Sequence, residues 1–282
     1  MFSANAVSIG YGLATAVTWG AADFSGGLGA KKANVFRVVL VAHGAGLLFM
    51  LGLAWLSGEP VPSSVALGWG MLAGLSGGFG VLCLYQALAV GTMGTVAPIA
   101  AVITAALPVI FGEFTQGKPR VVQVAGFVLA FIAIVLISKP EKIGTKPKGL
   151  GLAILAGIGF GVFVILVKQA GSISIFWPLV SARAASFVLV LMIVLFSRRL
   201  RSDKAAPGAL AAMIAAGIMD SVGNLLLVMA TRSGRLDVAA VLSSLYPAST
   251  VVLAYVILKE RVTRIQNVGI LTALIAVPMI AW

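Results

Sequence analysis

Ten apolar runs, each about as long as a helix that crosses a bilayer core, succeed one another along the sequence. They lie at roughly 7–30, 35–57, 65–90, 94–111, 121–138, 149–168, 175–196, 207–230, 237–257 and 264–281. In lipid every backbone N–H and C=O needs an internal partner, so only helices and closed barrels span. Barrel strands alternate polar and apolar residues over about ten positions, and no such alternation occurs here. The runs therefore read as ten transmembrane helices of an all-α membrane protein. Only 10% of the residues are charged, against about a quarter in a soluble domain. That is too little charge to clothe a water-facing surface, and no connection is long enough to hold a soluble domain. The first run has no basic segment before it and no clear cleavage site, so it is expected to be a retained helix.

The stretch after residue 148 resembles the stretch before residue 139. Gly12-Leu13-Ala14 leads to Gly20 and Phe24, and Gly151-Leu152-Ala153 leads to Gly159 and Phe163 at the same spacing. Ala42-His43-Gly44-Ala45 aligns with Ala182-Arg183-Ala184-Ala185, and Gly74, Gly80, Ala87 and Gly91 with Gly217, Gly223, Ala230 and Gly234. Gln123-x-x-Gly126 matches Gln266-x-x-Gly269. The expected units are a five-helix repeat over 1–138, a linker over 139–148 and a second repeat over 149–282. Five crossings per copy is odd, so the copies run through the bilayer in opposite senses. Such inverted repeats are found in secondary transporters, with the substrate site near the midplane between them.

The net charge of +12 is a matter of topology rather than of nucleic-acid binding, because the basic residues sit at helix ends and in short loops. Fourteen of the twenty, including Lys31, Lys32, Lys139, Lys142, Lys146, Lys148, Arg198 and Arg264, fall on one side. Lys118, Arg120, Lys168, Arg232 and Arg235 fall on the other, and Arg183 lies within a span. The positive-inside rule then puts the linker in the cytoplasm, as a tether, and both termini outside. The single Cys83 excludes an internal disulfide and reads as a small packing residue. The clustered glycines read as small packing surfaces between helices, with hinges for alternating access as the alternative. One His and one Cys exclude the usual zinc and cysteine-protease constellations. No phosphate-cradling loop ends in Gly-Lys-Ser/Thr. The chain is expected to be no enzyme, to need no cofactor and no metal, and to work as a monomer or weak homodimer among lipids.

Ionisable side chains at membrane depth cost about 2.5–3.5 kcal/mol each on insertion scales and are functional candidates by default. Six of the eight acids lie near loops or helix ends: Glu59, Glu113, Glu141, Asp203, Asp237 and Glu260. Asp220 is deep, Asp23 somewhat less so, and His43 and Arg183 complete the set. Asp220 and Asn224 are one turn apart and share a face. They suit an ammonium group or a proton; equally, Asp220 suits an ion pair with Arg183 that only joins two helices. Arg183 stays charged and needs an anion, either a protein carboxylate or that of a solute. Thr15, Trp19 and Asp23 form a stripe on the first helix, where Trp19 suits either stacking on a cationic or aromatic solute or packing. Asp23 has Lys31 and Lys32 as alternative partners. His43 titrates near neutral pH when unperturbed, but a lone membrane histidine is more often a hydrogen-bonded packing residue. Tyr85, Gln86, Ser243, Ser244 and Tyr246 are placed to line a midplane cavity. Pro247 lacks an N–H and is expected to kink its helix there. Glu113 and Glu260 read as interface anchors or gate ion pairs.

The stretch from Ala240 through Tyr246-Pro247, closing on Leu258-Lys259-Glu260-Arg261 and Gln266-x-x-Gly269, resembles the signature of the EamA-type drug/metabolite transporters. The first half carries a looser copy in Ala97-Pro98, Gly112-Glu113 and Gln123-x-x-Gly126, with Pro98 and Glu113 two residues further apart than Pro247 and Glu260. Trp19-Gly20-Ala21-Ala22-Asp23-Phe24 is similar to an opening common among bacterial members. The resemblance covers essentially the whole chain. It implies a five-plus-five inverted repeat around a central cavity in the bacterial inner membrane, exporting amino acids or other small metabolites. Two further readings stand beside it: a proton-coupled exporter of cationic drugs or quaternary amines, using Asp23 or Asp220, and a membrane scaffold or sensor subunit that transports nothing.

Overall fold

The computed structural model describes residues 4–30, 32–90, 93–137, 149–197, 207–259 and 263–281. The linker over 139–148, and with it the expected tether, lies outside them. The described residues form α1 (Ala4–Ala30), α2 (Val35–Leu56), α3 (Ser64–Val90), α4 (Met93–Gln116), α5 (Val121–Ile137), α6 (Leu150–Ile173), α7 (Phe176–Ser197), α8 (Ala209–Ser233), α9 (Leu236–Ser243), α10 (Tyr246–Leu258) and α11 (Arg264–Ala281). Seven stretches among them are long and apolar enough to cross a membrane, and α5 and α11 are shorter apolar helices. Leu48, Val188, Phe196, Leu271 and Leu274 are each more than half exposed, an outward apolar surface that suits lipid. The chain is a multi-pass membrane protein. Cys83 is a buried thiol, packed with Leu84, Ala87 and Ala100.

The ninth run is two helices and not one. Pro247 stands in the first turn of α10, where its missing N–H costs nothing. That N–H would have bonded the Ser243 carbonyl had the helix run on. The chain breaks over Ser244 and Leu245, so the kink expected at Pro247 is a full interruption just before it.

Most helices pack on helices of the other half. α1 lies against α8, α9 and α10, α3 against α6 and α7, α2 against α7 and α8, α4 against α6 and α9, and α5 against α11. The contacts are reciprocal at the aligned positions. A Cβ on Gly74 would collide with the Ala182 carbonyl, and one on Gly217 would collide with the Ala42 carbonyl. A Cβ on Gly126 would lie 2.8 Å from Ile280 Cγ1, and one on Gly269 would lie 2.8 Å from Ile137 Cγ1.

The Gln-x-x-Gly motif thus has a physical reading. Its glycine lets α5 and α11 touch, and its glutamine caps. Gln123 Oε1 accepts from the Arg120 N–H at 3.0 Å, and Gln266 Oε1 from the Thr263 N–H at 2.9 Å. Thr263 Oγ1 in turn accepts from the Gln266 N–H at 3.2 Å, which completes a reciprocal capping box at the start of α11.

Among the described residues, three groups of polar ties, one of which includes the Leu236 N–H donating to Gln116 Oε1 at 2.8 Å, join the halves at one end of the bundle, the end at which α1 begins and α2, α4 and α8 finish. Ser8 Oγ donates to the Ala230 carbonyl at 2.9 Å. Arg235 donates to the carbonyls of Gln116 and Gly117 at 3.2 and 2.8 Å, and is held by Asp237 at 2.7 Å. The Asp237 hydrogen bond raises Arg235 above its ordinary pKa, so the guanidinium stays charged. Glu59 supplies the third. Its carboxylate accepts from the N–H groups of Ile175 and Phe176 at 3.0 and 2.9 Å, and its carbonyl accepts from Trp177 Nε1 at 2.7 Å. A carboxylate on the first N–H groups of α7 satisfies orphan donors and meets the positive end of the helix dipole. Glu59→Ala is expected to lower stability by about 1–2 kcal/mol, the loss typical of an N-terminal cap. Thermal unfolding of the purified protein in detergent measures this, and an unchanged melting point would show the cap to be dispensable.

Candidate functional site

A cavity of about 120 Å³ lies between the halves, roomy compared with the volume a single water needs. α1 brings Trp19 and Asp23 to it, α2 His43, α7 Arg183 and Ser186, α8 Asp220 and Asn224, and α10 Tyr246. Much of the remaining wall is small or aromatic, with Gly74, Gly77 and Gly78 on α3 and Phe160 and Phe163 on α6.

Small residues make room for the large polar ones. A Cβ on Gly46 would lie 2.6 Å from Ser221 Oγ and 3.0 Å from the Gly217 carbonyl, so glycine lets α2 lie close on α8 beside the cavity. Gly77 holds the place in the first half that Asp220 holds in the second. There the Phe163 ring fills the space, 3.1 Å from where a Cβ would stand.

Arg183 and Asp220 form an ion pair across α7 and α8. Their exposure is unequal. The Arg183 side chain is 7% exposed and that of Asp220 37%, so the guanidinium is sunk in protein while the carboxylate faces the cavity. One nitrogen, Nη2, has no hydrogen bond of good geometry among the described residues, so the pair rests on charge attraction more than on directed bonds.

Trp19 donates from Nε1 to Asn224 Oδ1 at 3.0 Å and meets Tyr246 edge to face, with centroids 6.3 Å apart at 83°. It is held on two sides and still borders the cavity. His43 Nδ1 lies 2.5 Å from Ser186 Oγ, a hydrogen bond that uses one ring nitrogen. Asp23 also borders the cavity and makes no ion pair with a described residue. Lys32, one of its expected partners, has its Nζ beside Gly208 at the start of α8, and Lys31 lies outside the described residues.

Other expected site residues are not in the cavity wall. Ser243 and Ser244 are wholly buried at the break between α9 and α10, and Ser243 Oγ donates to the Ala240 carbonyl at 3.0 Å. Gln86 is half-buried on α3 and does not line the cavity. The Tyr85 side chain lies outside the described residues, as does Glu260. Glu113 is exposed on α4. Sequence reasoning missed Thr104, Phe160, Phe163 and Ser186 in the wall. Ser186 was within reach of it, three residues after Arg183 and so on the same helix face. No group of three or more His, Cys, Asp or Glu among the described residues is placed to hold a metal ion.

The site therefore holds charges of both signs in an aromatic-walled space between two halves. The sequence matches the EamA-like transporter family twice, over residues 7–139 and 147–282. No curated protein matches the chain. A solved crystal structure of a protein is similar to it at 17% sequence identity and a TM-score of 0.78, with 96% of this chain and 95% of that chain covered. At that identity the likeness is one of fold. The family matches together span nearly the whole sequence, and the chain belongs to the EamA-like transporter family.

Proposed function

We propose that the protein is a secondary transporter of the bacterial inner membrane that exports small metabolites, amino acids foremost, by alternating access. The observation that carries this is the cavity: Arg183 to receive a carboxylate, Asp220 and Asp23 to receive an ammonium group, and Trp19, Tyr246, Phe160 and Phe163 to receive an apolar side chain. The architecture we infer is ten spans in two inverted repeats, 1–138 and 149–282, with α9 and α10 making one interrupted span. The reciprocal contacts of Gly74 with Ala182 and of Gly217 with Ala42 support it, since a two-fold relation between copies pairs aligned positions in this way. In that topology the linker is cytoplasmic, and the end that carries the three polar ties faces outward. The working unit is a monomer or weak homodimer, with lipid and solute as its only partners.

A second reading has its own observation. The cavity holds two carboxylates and one guanidinium, and Asp23 has no cationic partner among the described residues. A surplus acid beside an aromatic ring suits a cationic drug or quaternary amine exchanged for a proton at Asp23 or Asp220. Two assays separate the readings. Purified protein in liposomes is expected to exchange labelled amino acids in a saturable way, well above protein-free vesicles. Expression in an exporter-deficient strain is expected to leave resistance to cationic drugs unchanged. Resistance without amino-acid exchange would reverse the order, and robust transport of either kind would end the scaffold reading.

A further inference from the structure

The Arg183–Asp220 ion pair and the cavity it borders carry a more specific inference, which rests on the transport reading. The two partners differ in how they can move. Arg183 is enclosed by protein on nearly every side, while more than a third of the Asp220 side chain is open to the cavity. Asp220 stands against Arg183 where a solute carboxylate would stand, and it is the partner with room to yield.

We propose that the transported solute inserts into this ion pair, its carboxylate taking Arg183 and its ammonium group taking Asp220. No covalent bond changes. One ion pair is exchanged for two, and both protein charges stay compensated. The rule for acceptance comes from the cost of an unpaired charge in a closed site. A solute with a carboxylate alone would satisfy Arg183 and strand Asp220. A solute with an ammonium group alone would satisfy Asp220 and strand Arg183. A solute with both charges a few bonds apart strands neither. The selected class is zwitterionic, and the selection is made by the internal pair itself, because each half-matched solute must compete with the partner it displaces. Asp23 and His43, whose Nδ1 is engaged by Ser186, border the same cavity. Trp19 and Tyr246, fixed against each other, bound the space left for the side chain.

Three probes of one shape test this: phenylalanine, 3-phenylpropionate and phenethylamine, titrated calorimetrically into the purified full-length protein in detergent. The wild type is expected to bind phenylalanine about tenfold or more tighter than either half-charged probe, since specificity is a difference of affinities that stranded groups enlarge. Asp220→Asn leaves Arg183 free, and is expected to tighten 3-phenylpropionate about tenfold while weakening phenylalanine. Arg183→Gln is expected to do the reverse, tightening phenethylamine. A merely structural pair would weaken every probe alike when broken. Arg183→Gln leaves Asp220 unpaired and risks misfolding, so the double variant with Asp220→Asn is the safeguard, expected to bind the three probes with similar affinity. Wild-type rank order in Asp220→Asn, or a phenylalanine preference surviving in the double variant, would overturn the inference. The failures are separable. Amino-acid exchange in liposomes without the specificity switch would sink insertion and keep the transporter. The switch without any exchange would do the opposite.

Discussion

Replacing Arg183 by Ala is expected to cut amino-acid exchange in proteoliposomes at least ~30-fold, because truncating one partner of a buried charge pair costs about 2–5 kcal/mol. Two losses combine. The solute loses its carboxylate anchor, and Asp220 is left facing the cavity without its cation. The Asp220 side chain is 37% exposed, so water relieves part of the second loss, and the folded protein should survive with a lowered melting point. Asp220→Asn removes a charge instead of stranding one. It should lower the exchange rate too, with a smaller change in melting. Equal exchange by wild type and Arg183→Ala, in samples that unfold at the same temperature, would remove the pair from the mechanism.

The largest structural effect is expected at the two glycine crossings. At Gly217 and Gly74 a Cβ would overlap the facing carbonyls of Ala42 and Ala182. No rotamer choice relieves that clash, because the obstruction is backbone. The helices must part. Overpacking a well-packed interior costs about 1–3 kcal/mol for even small additions, so Gly217→Ala and Gly74→Ala should each lower the melting point clearly. Gly217→Leu should abolish monodisperse protein. Gly52→Ala and Gly68→Ala are the controls, since a Cβ at either meets nothing within 4 Å. Measured by size-exclusion chromatography and thermal unfolding, the crossing variants should fall well below the controls. If all four behave alike, the crossings are looser than the geometry indicates.

Much of this fold was legible in the sequence, because lipid simplifies the problem. A run of apolar residues of spanning length has one structural solution, and the positions of its glycines mark where another backbone comes close. The aligned pairs Gly74 with Gly217 and Ala42 with Ala182 were visible as a repeat, and they proved to be the crossing points. The interruption of the ninth run was half legible: Pro247 marked the place, but only the structure shows α10 starting afresh at Tyr246.

The site was harder to read. In a membrane helix the lipid-facing and core-facing sides are both apolar, so periodicity does not reveal which way a side chain turns. Ser243 and Ser244 were for that reason assigned to a cavity they do not line. Arg183 and Asp220 stood out because charge is costly at that depth, yet whether they met each other depended on α7 and α8 both packing on α2. Glu59 gave no signal at all. Its role comes from a helix start more than a hundred residues away in the chain, which no local pattern encodes.

The three polar ties at the terminal end bear on populations as well as on stability. A carrier that alternates between two orientations rests in whichever is lower in free energy, and each bond broken on opening one end counts against that opening. Under the proposed alternation, Ser8, Glu59 and Arg235 would together set that equilibrium. Weakening any one of them would then leave the solute's contacts untouched while shifting the balance between the two orientations. Relatives with fewer such ties would be expected to idle in the opposite orientation, and to reveal it as a changed transport rate for the same solute.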